Sequence, residues 1–254
     1  MLYLDTASIY PLLHFNQIHT MVARFPAELA HRVLRAEDAS ERARRVGAYV
    51  LLEKMAKKHT EAFKTAVEGI AKPEFGAMFD SRAVLQYLRY DSYGKPYFAQ
   101  KDQIAFNLSH SDNLVACVLS IAEDGENAAK AVGVDIQRIP DHVEQAERIA
   151  ERYFSLAERT SLPSAAEKDA YLAAFARLWT RKEAYLKCIG VGISQMAASD
   201  TEEIAKNEGF SFPVCKEIEL AYTDLDGKEV FERYCLSVCV PGEERLIDYT
   251  EHKE

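Results

Sequence analysis

Residues 131–137 read Ala-Val-Gly-Val-Asp-Ile-Gln, and residues 114–121 read Leu-Val-Ala-Cys-Val-Leu-Ser-Ile. In the first stretch Val132, Val134 and Ile136 alternate with Gly133, Asp135 and Gln137. A strand period of two puts the apolar trio on one face and a small, then anionic, then polar residue on the other. That second face leaves room for a cation beside Asp135, although a strand-end aspartate on its own is more often a cap or surface residue. The stretch 114–121 is apolar at every other position on both faces, as a strand covered on both sides must be. The connection 122–130 contains Asp124-Gly125, so the simplest expectation is an antiparallel hairpin joining the two strands.

Outward toward the N-terminus, residues 1–20 read as one or two strands broken by Pro11. Helical spacing follows from Glu28 to Lys58, with Val46, Val50 and Leu51 on the apolar side. Gly47 would weaken that helix, so it predicts close packing against another element. Further helices are expected over Glu61–Ile70 and Ser81–Leu88. Tyr93-Gly94-Lys95-Pro96 should be turn or extended, because Pro96 disfavours a helical Lys95. Toward the C-terminus, Val143–Tyr153 reads as a helix and Ala165–Gly190 as one long or two adjacent helices. Phe210–Leu220 and Glu229–Val240 read as strands joined through Asp226-Gly227. Helices plus antiparallel sheet in each half give an α+β class: a pseudo-twofold pair of subdomains, 1–126 and 127–254, each with helices on a small antiparallel sheet. No low-complexity linker separates them, so the sheets should pack closely, with a ligand cleft between them.

Composition limits the function. Across 254 residues, 48% are hydrophobic and 28% charged, ordinary for a soluble protein. No apolar run approaches the roughly 18 residues of a membrane span, and the opening MLYLDTASIYPLLHF has no basic n-region. A cytoplasmic protein without a membrane partner is expected. The net charge of −9 argues against nucleic acid as a partner. Cysteines number five, without a CxxC pair, which fits neither a disulfide framework nor a zinc ribbon. Cys235 and Cys239 should be buried together on one strand face.

Three clusters could carry chemistry. Within Trp179-Thr-Arg-Lys-Glu-Ala-Tyr-Leu-Lys187, Glu183 and Lys187 share a helix face with Trp179. On their own they read more readily as a surface ion pair than as a metal ligand with a phosphate partner. Phe106-Asn107-Leu108-Ser109-His110-Ser111 combines hydroxyls with an imidazole. It is no hydrolase triad, since adjacent residues rarely face each other. A phosphate contact or a turn held by hydroxyl-to-backbone bonds both remain open. Arg32, Arg35, Arg42, Arg44 and Arg45 are either a phosphate site or a solvated helix face.

Taken in order, Gly94-Lys95-Pro96, FNLSHS, GVDIQRI and WTRKEAYLK resemble the 4′-phosphopantetheinyl transferase superfamily, and the length resembles its monomeric surfactin-synthetase-activating type. The likeness is closest over residues 90–195. It implies transfer of 4′-phosphopantetheine from coenzyme A to a serine of an acyl or peptidyl carrier protein, magnesium-dependent, with 3′,5′-adenosine bisphosphate released. It also implies a monomer, magnesium on Asp135 and Glu183, and catalysis by Asp135, Glu183 and Lys187. Coenzyme A contacts would come from Lys95, Ser109, His110 and Lys187, and from one of Arg42, Arg44 and Arg45. Many relatives read D-x-E where this chain has Asp135-Ile136-Gln137. Gln137 can still offer a neutral oxygen to magnesium, which commonly takes only one or two carboxylates. Two rival classes stay open: a coenzyme A or carrier binder that has lost transfer, and a magnesium-dependent nucleotide phosphatase or nucleotidyl transferase. The absence of a Walker A sequence weighs against the last.

Overall fold

The computed structural model describes residues 1–14, 17–59, 61, 81–92, 94–98, 103–122, 128–192, 200–242 and 248–250. The chain runs β1 (Leu2–Ser8), α1 (Tyr10–His14), α2 (Ile18–Val22), α3 (Ala27–Leu34) and α4 (Ala39–Lys58). A 3₁₀ turn (Ser81–Tyr87), β2 (Leu88–Tyr90), β3 (Pro96–Phe98), β4 (Ile104–Ser111), β5 (Leu114–Ile121) and β6 (Gly133–Arg138) follow. Then come α5 (Val143–Tyr153), α6 (Leu156–Ser161), α7 (Lys168–Ile189), α8 (Thr201–Asn207), β7 (Phe210–Thr223), β8 (Glu229–Pro241) and β9 (Asp248–Thr250). The class is α+β. The helix expected over 61–70 lies almost wholly outside the described residues, as do 123–127 of the connection and most of the tail.

Two sheets form the centre. One has the order β4-β5-β1-β9, the other β6-β8-β7. In the first sheet β9 runs parallel to β1 and the other pairs are antiparallel; the second is antiparallel throughout. Period-two patterning decides the layers. Leu114, Ala116 and Val118 point from β5 into a core shared with Leu2, Leu4, Val132, Val134, Ile136, Leu236 and Val238. Their neighbours Val115, Cys117 and Leu119 point the other way, against Val46, Leu51, Leu52 and Met55 of α4. On the far side of the second sheet, α7 packs through Phe175 and Ala176 near Cys235, and through Ala184 and Cys188 near Cys239. The result is helix, sheet, sheet, helix, with Cys235 and Cys239 buried on one strand face as expected and all five thiols free.

The expected β5–β6 hairpin does not form. β6 pairs with β8, in the register Asp135↔Ser237, and β5 pairs with β1 and β4. The 122–130 connection therefore crosses from one sheet to the other. After Pro11 the chain is helical rather than extended, since proline is tolerated in a first helical turn. FNLSHS is strand β4 itself, closed by a turn whose Asp112 has φ 43°. Gly47 and Gly133 mark close approaches of a helix to its neighbours, the segment after β1 and strand β5 for Gly47 and α7 against β6 for Gly133. A Cβ at Gly47 would lie 2.4 Å from Ile9 Cγ2, and one at Gly133 would lie 1.9 Å from the Ala184 carbonyl oxygen.

Candidate active site

Strand β6 reaches the first sheet without backbone pairing. Asn107, Ser109 and Ser111, at alternate positions of β4, face it and accept its N–H groups in sequence. Asn107 Oδ1 takes Val134 N at 3.0 Å, Ser109 Oγ takes Ile136 N at 3.3 Å and Ser111 Oγ takes Arg138 N at 2.9 Å. Three side chains thus satisfy an edge that would otherwise bury bare donors. The sheets join along a polar seam whose centre is Ser109, only 4% exposed.

Asp135 projects from this seam on the face opposite Val134 and Ile136. It points at α7 because Gly133 lets the helix backbone touch the strand. Lys187 Nζ lies 2.7 Å from Asp135 Oδ1 and 2.8 Å from Ser109 Oγ, and Ser109 donates to the same Oδ1 at 2.8 Å. One helical turn earlier stands Glu183, which has no hydrogen bond or ion pair to a described residue. Burial raises its carboxyl to about 7, the Asp135 charge adds to the rise, and Lys187 opposes it. An acid held this high by its surroundings marks a functional position more often than a structural one.

Cations continue outward from Lys187. Lys95 Nζ donates to the Lys187 carbonyl oxygen at 2.8 Å, and burial lowers its pKa. Glu41 at the start of α4 accepts Arg45 Nε on Oε1 at 2.8 Å and Arg44 Nε on Oε2 at 3.1 Å. His110 Nε2 is 3.8 Å from Glu41 Oε1. Burial works to raise the Glu41 carboxyl, but the two arginine bonds and His110 outweigh it and hold it low. The His110 imidazole is lowered, first by burial; Glu41 pulls it back up, and Lys187, Arg44 and Arg45 push it further down. Lys95, Lys187, Arg44 and Arg45 therefore supply positive charge around the His110 imidazole, suited to a polyanion such as a pyrophosphate. Arg42 makes no side-chain hydrogen bond or ion pair to a described residue and stands apart from this pairing. Arg44 also lines a polar cavity of about 370 Å³ with Asp112, Asn113, Arg138 and Glu232.

The structure thus brings together Asp135, Glu183, Lys187, Ser109, His110 and Lys95, with Arg44 and Arg45 beside them. Sequence reading missed Glu41, which fixes both arginines, and the ladder role of Asn107 and Ser111. Polar residues at positions 107, 109 and 111 of an otherwise apolar strand were the signal available. Among the described residues no group of three or more His, Cys, Asp or Glu side chains is placed to hold a metal. Asp135 and Glu183 nevertheless suit a hard cation, being two carboxylates whose charges repel each other. The Gln137 amide nitrogen donates to the Arg138 carbonyl at 3.1 Å. No helix among the described residues is long and apolar enough to cross a membrane.

Comparison with known proteins places these residues in a family context. A family model for the 4′-phosphopantetheinyl transferase superfamily matches residues 131–239, which carry Asp135, Glu183 and Lys187. The chain is 35% identical over 140 residues to the 4′-phosphopantetheinyl transferase AcpT of Salmonella typhi, covering 54% of this chain and 68% of that relative. It is 41% identical over 105 residues to the 4′-phosphopantetheinyl transferase gsp of Aneurinibacillus migulanus, covering 41% of this chain and 38% of that relative. A 4′-phosphopantetheinyl transferase of Bacillus subtilis is 33% identical over 103 residues, 40% of each chain. The matched stretch thus spans about two thirds of the first relative and well under half of the other two.

Proposed function

The chain belongs to the 4′-phosphopantetheinyl transferase superfamily, and from that premise we propose that it moves the phosphopantetheine arm of coenzyme A onto a serine of an acyl or peptidyl carrier protein. The observation that carries this reading is the Asp135–Ser109–Lys187 cluster, with Glu183 raised to about 7 beside it and the basic side chains of Lys95, Arg44 and Arg45 to meet a polyanion. In the proposed step the carrier serine oxygen forms a bond to the β-phosphorus of coenzyme A. The bond to the departing 3′,5′-adenosine bisphosphate breaks and the leaving group takes the electron pair.

Glu183 accepts the serine proton, directly or through a bound water. Lys187 donates to the phosphate oxygens as their charge grows, and Ser109 keeps its Nζ directed while Asp135 is engaged elsewhere. Lys95, His110 and an arginine, Arg44 or Arg45, hold the pyrophosphate and nucleotide end. Asp135 and Glu183, with Gln137, would hold magnesium, which supplies charge neutralisation on the pyrophosphate. In this reading the chain is a monomer whose two halves, 1–126 and 127–254, form a pseudo-twofold pair. Residues 1–126 supply nucleotide contacts and 127–254 the carboxylates, with β9 returning to the first sheet. The direct test is to measure the rates of 3′,5′-adenosine bisphosphate release and of carrier modification in Asp135→Ala, Glu183→Gln and Lys187→Ala. Each should cripple release while the wild type gives one per carrier; near-normal turnover in Glu183→Gln would remove the base from the scheme.

A further inference from the structure

One residue before Glu183, α7 carries a lysine that the proposed chemistry does not use. Lys182 has a side chain only 2% exposed, and its Nζ sits 2.7 Å from Oε2 of Glu158, itself 3% exposed. Glu158 is saturated. Its Oε2 also accepts Ser155 N at 2.8 Å, and its Oε1 accepts Thr201 N at 3.1 Å and Thr201 Oγ1 at 3.0 Å. Ser155 in turn donates from Oγ to Asp200 Oδ2 at 2.7 Å. One carboxylate therefore ties together the start of α6, the middle of α7 and the start of α8.

Burying two charges is expensive, and a buried ion pair is often matched or bettered in stability by apolar side chains of the same volume. What such side chains lack is direction. The apolar face of α7, Leu172, Phe175 and Ala176, packs without the directional demand of a hydrogen bond; a saturated ion pair adds that demand, beside the Thr180–Ser237 hydroxyl bond at 2.8 Å. Successive helical residues point about 100° apart. Fixing the heading of Lys182 toward α6 therefore fixes that of Glu183, and of Lys187 one turn on, toward β6. Gly133 sets how near α7 comes to β6, and Lys182 sets which way it faces.

We propose that Glu158 and Lys182 are positioning residues for phosphopantetheine transfer, holding the rotation of α7 so that Glu183 and Lys187 meet Asp135. The proposal rests on the transferase reading. It is tested on the full chain with Lys182→Met, the double variant Glu158→Gln/Lys182→Met, Lys182→Arg, and Glu158→Asp. Four quantities are read: Tm, coenzyme A affinity by calorimetry, and KM and kcat with an apo carrier. Lys182→Met should melt well below wild type, because it strands a buried carboxylate. The neutral double variant should recover part of that Tm, because its amide nitrogen replaces one of the two oxygens that accept backbone N–H groups, and should keep its coenzyme A affinity and carrier KM within about twofold. Its kcat should nevertheless be about 10- to 100-fold down, the loss expected when reacting groups are displaced by an ångström or less. Lys182→Arg should restore kcat to within a few-fold of wild type. Glu158→Asp keeps both charges and shortens the tie by one methylene; it should lose at least about threefold in kcat at unchanged coenzyme A affinity. Wild-type kcat in both Glu158→Asp and the double variant overturns the proposal, and so does a loss confined to KM. A wild-type protein that modifies no carrier would instead overturn the transferase reading.

Discussion

Gly133→Ala is the smallest change that should open the site. An alanine Cβ at this position would lie 1.9 Å from the Ala184 carbonyl oxygen and 2.5 Å from Cys188 N, both backbone atoms of α7. No side chain can move aside to relieve them. Reaching an ordinary contact of 3.4 Å requires roughly 1.5 Å of extra separation between helix and strand. The Lys187–Asp135 contact is 2.7 Å, so that displacement takes it beyond hydrogen-bonding range. Overpacking of this kind costs about 1–3 kcal/mol, and a misplacement of an ångström costs about 100-fold in rate. The sign is diagnostic, because alanine in an unobstructed strand would otherwise be neutral or favourable relative to glycine. Holo-carrier formation followed by intact mass, with Tm measured in parallel, is the assay. Gly133→Ala should fold with a Tm lower by several degrees and with turnover down about two orders of magnitude. Turnover within twofold of wild type at an unchanged Tm would refute the claim that helix–strand contact sets the site.

Three further outcomes follow from the same geometry. Asn107→Ala leaves the buried Val134 N–H without its acceptor, which should cost about 1–3 kcal/mol in thermal or denaturant unfolding; no change would deny the ladder its structural role. Glu183 rises from 4.5 to about 7 on folding, so between those values the folded state holds the extra proton. Its contribution to stability is therefore present below about 4.5 and lost as pH rises through 7. The metal-free wild type should lose stability over that window relative to Glu183→Gln, and magnesium binding below pH 7 should release protons, measurable by calorimetry in buffers of different ionisation enthalpy. Glu41→Gln weakens the fork that directs Arg44 and Arg45, and should raise KM for coenzyme A by roughly 3- to 10-fold with kcat little changed; a fall in kcat alone would place Glu41 in the chemical step instead.

Much of the fold was legible because periodicity is local. An unbroken apolar run gave β5 and alternation gave β6 to within two residues, α5 and the long α7 were legible as helices, and Gly47 signalled the crossing that Ile9 and Val115 make with α4. Pairing is not local. Nothing in residues 122–130 says whether the next strand returns to β5 or crosses to β8, because partner choice rests on residues far away, Asn107, Ser109 and Ser111 among them. The same limit hid the buried pair: a lysine in mid-helix reads as solvent-facing until Glu158, 24 positions back, is brought beside it. Asp135, Glu183 and Lys187 were legible only through their order with Lys95 and Ser109-His110, since each alone has a commoner structural explanation. Folding adds what order could not, an Asp135 Oδ1 that accepts separate hydrogen bonds from both Ser109 and Lys187.

The most direct measurement is the intact mass of an apo carrier protein after incubation with this protein, coenzyme A and magnesium. The carrier should gain one phosphopantetheine, and should gain nothing with a chelator, with its acceptor serine replaced by alanine, or with Asp135→Ala in place of wild type. An unchanged carrier mass under these conditions, with coenzyme A either intact or hydrolysed, would contradict transfer at the Asp135–Glu183–Lys187 site.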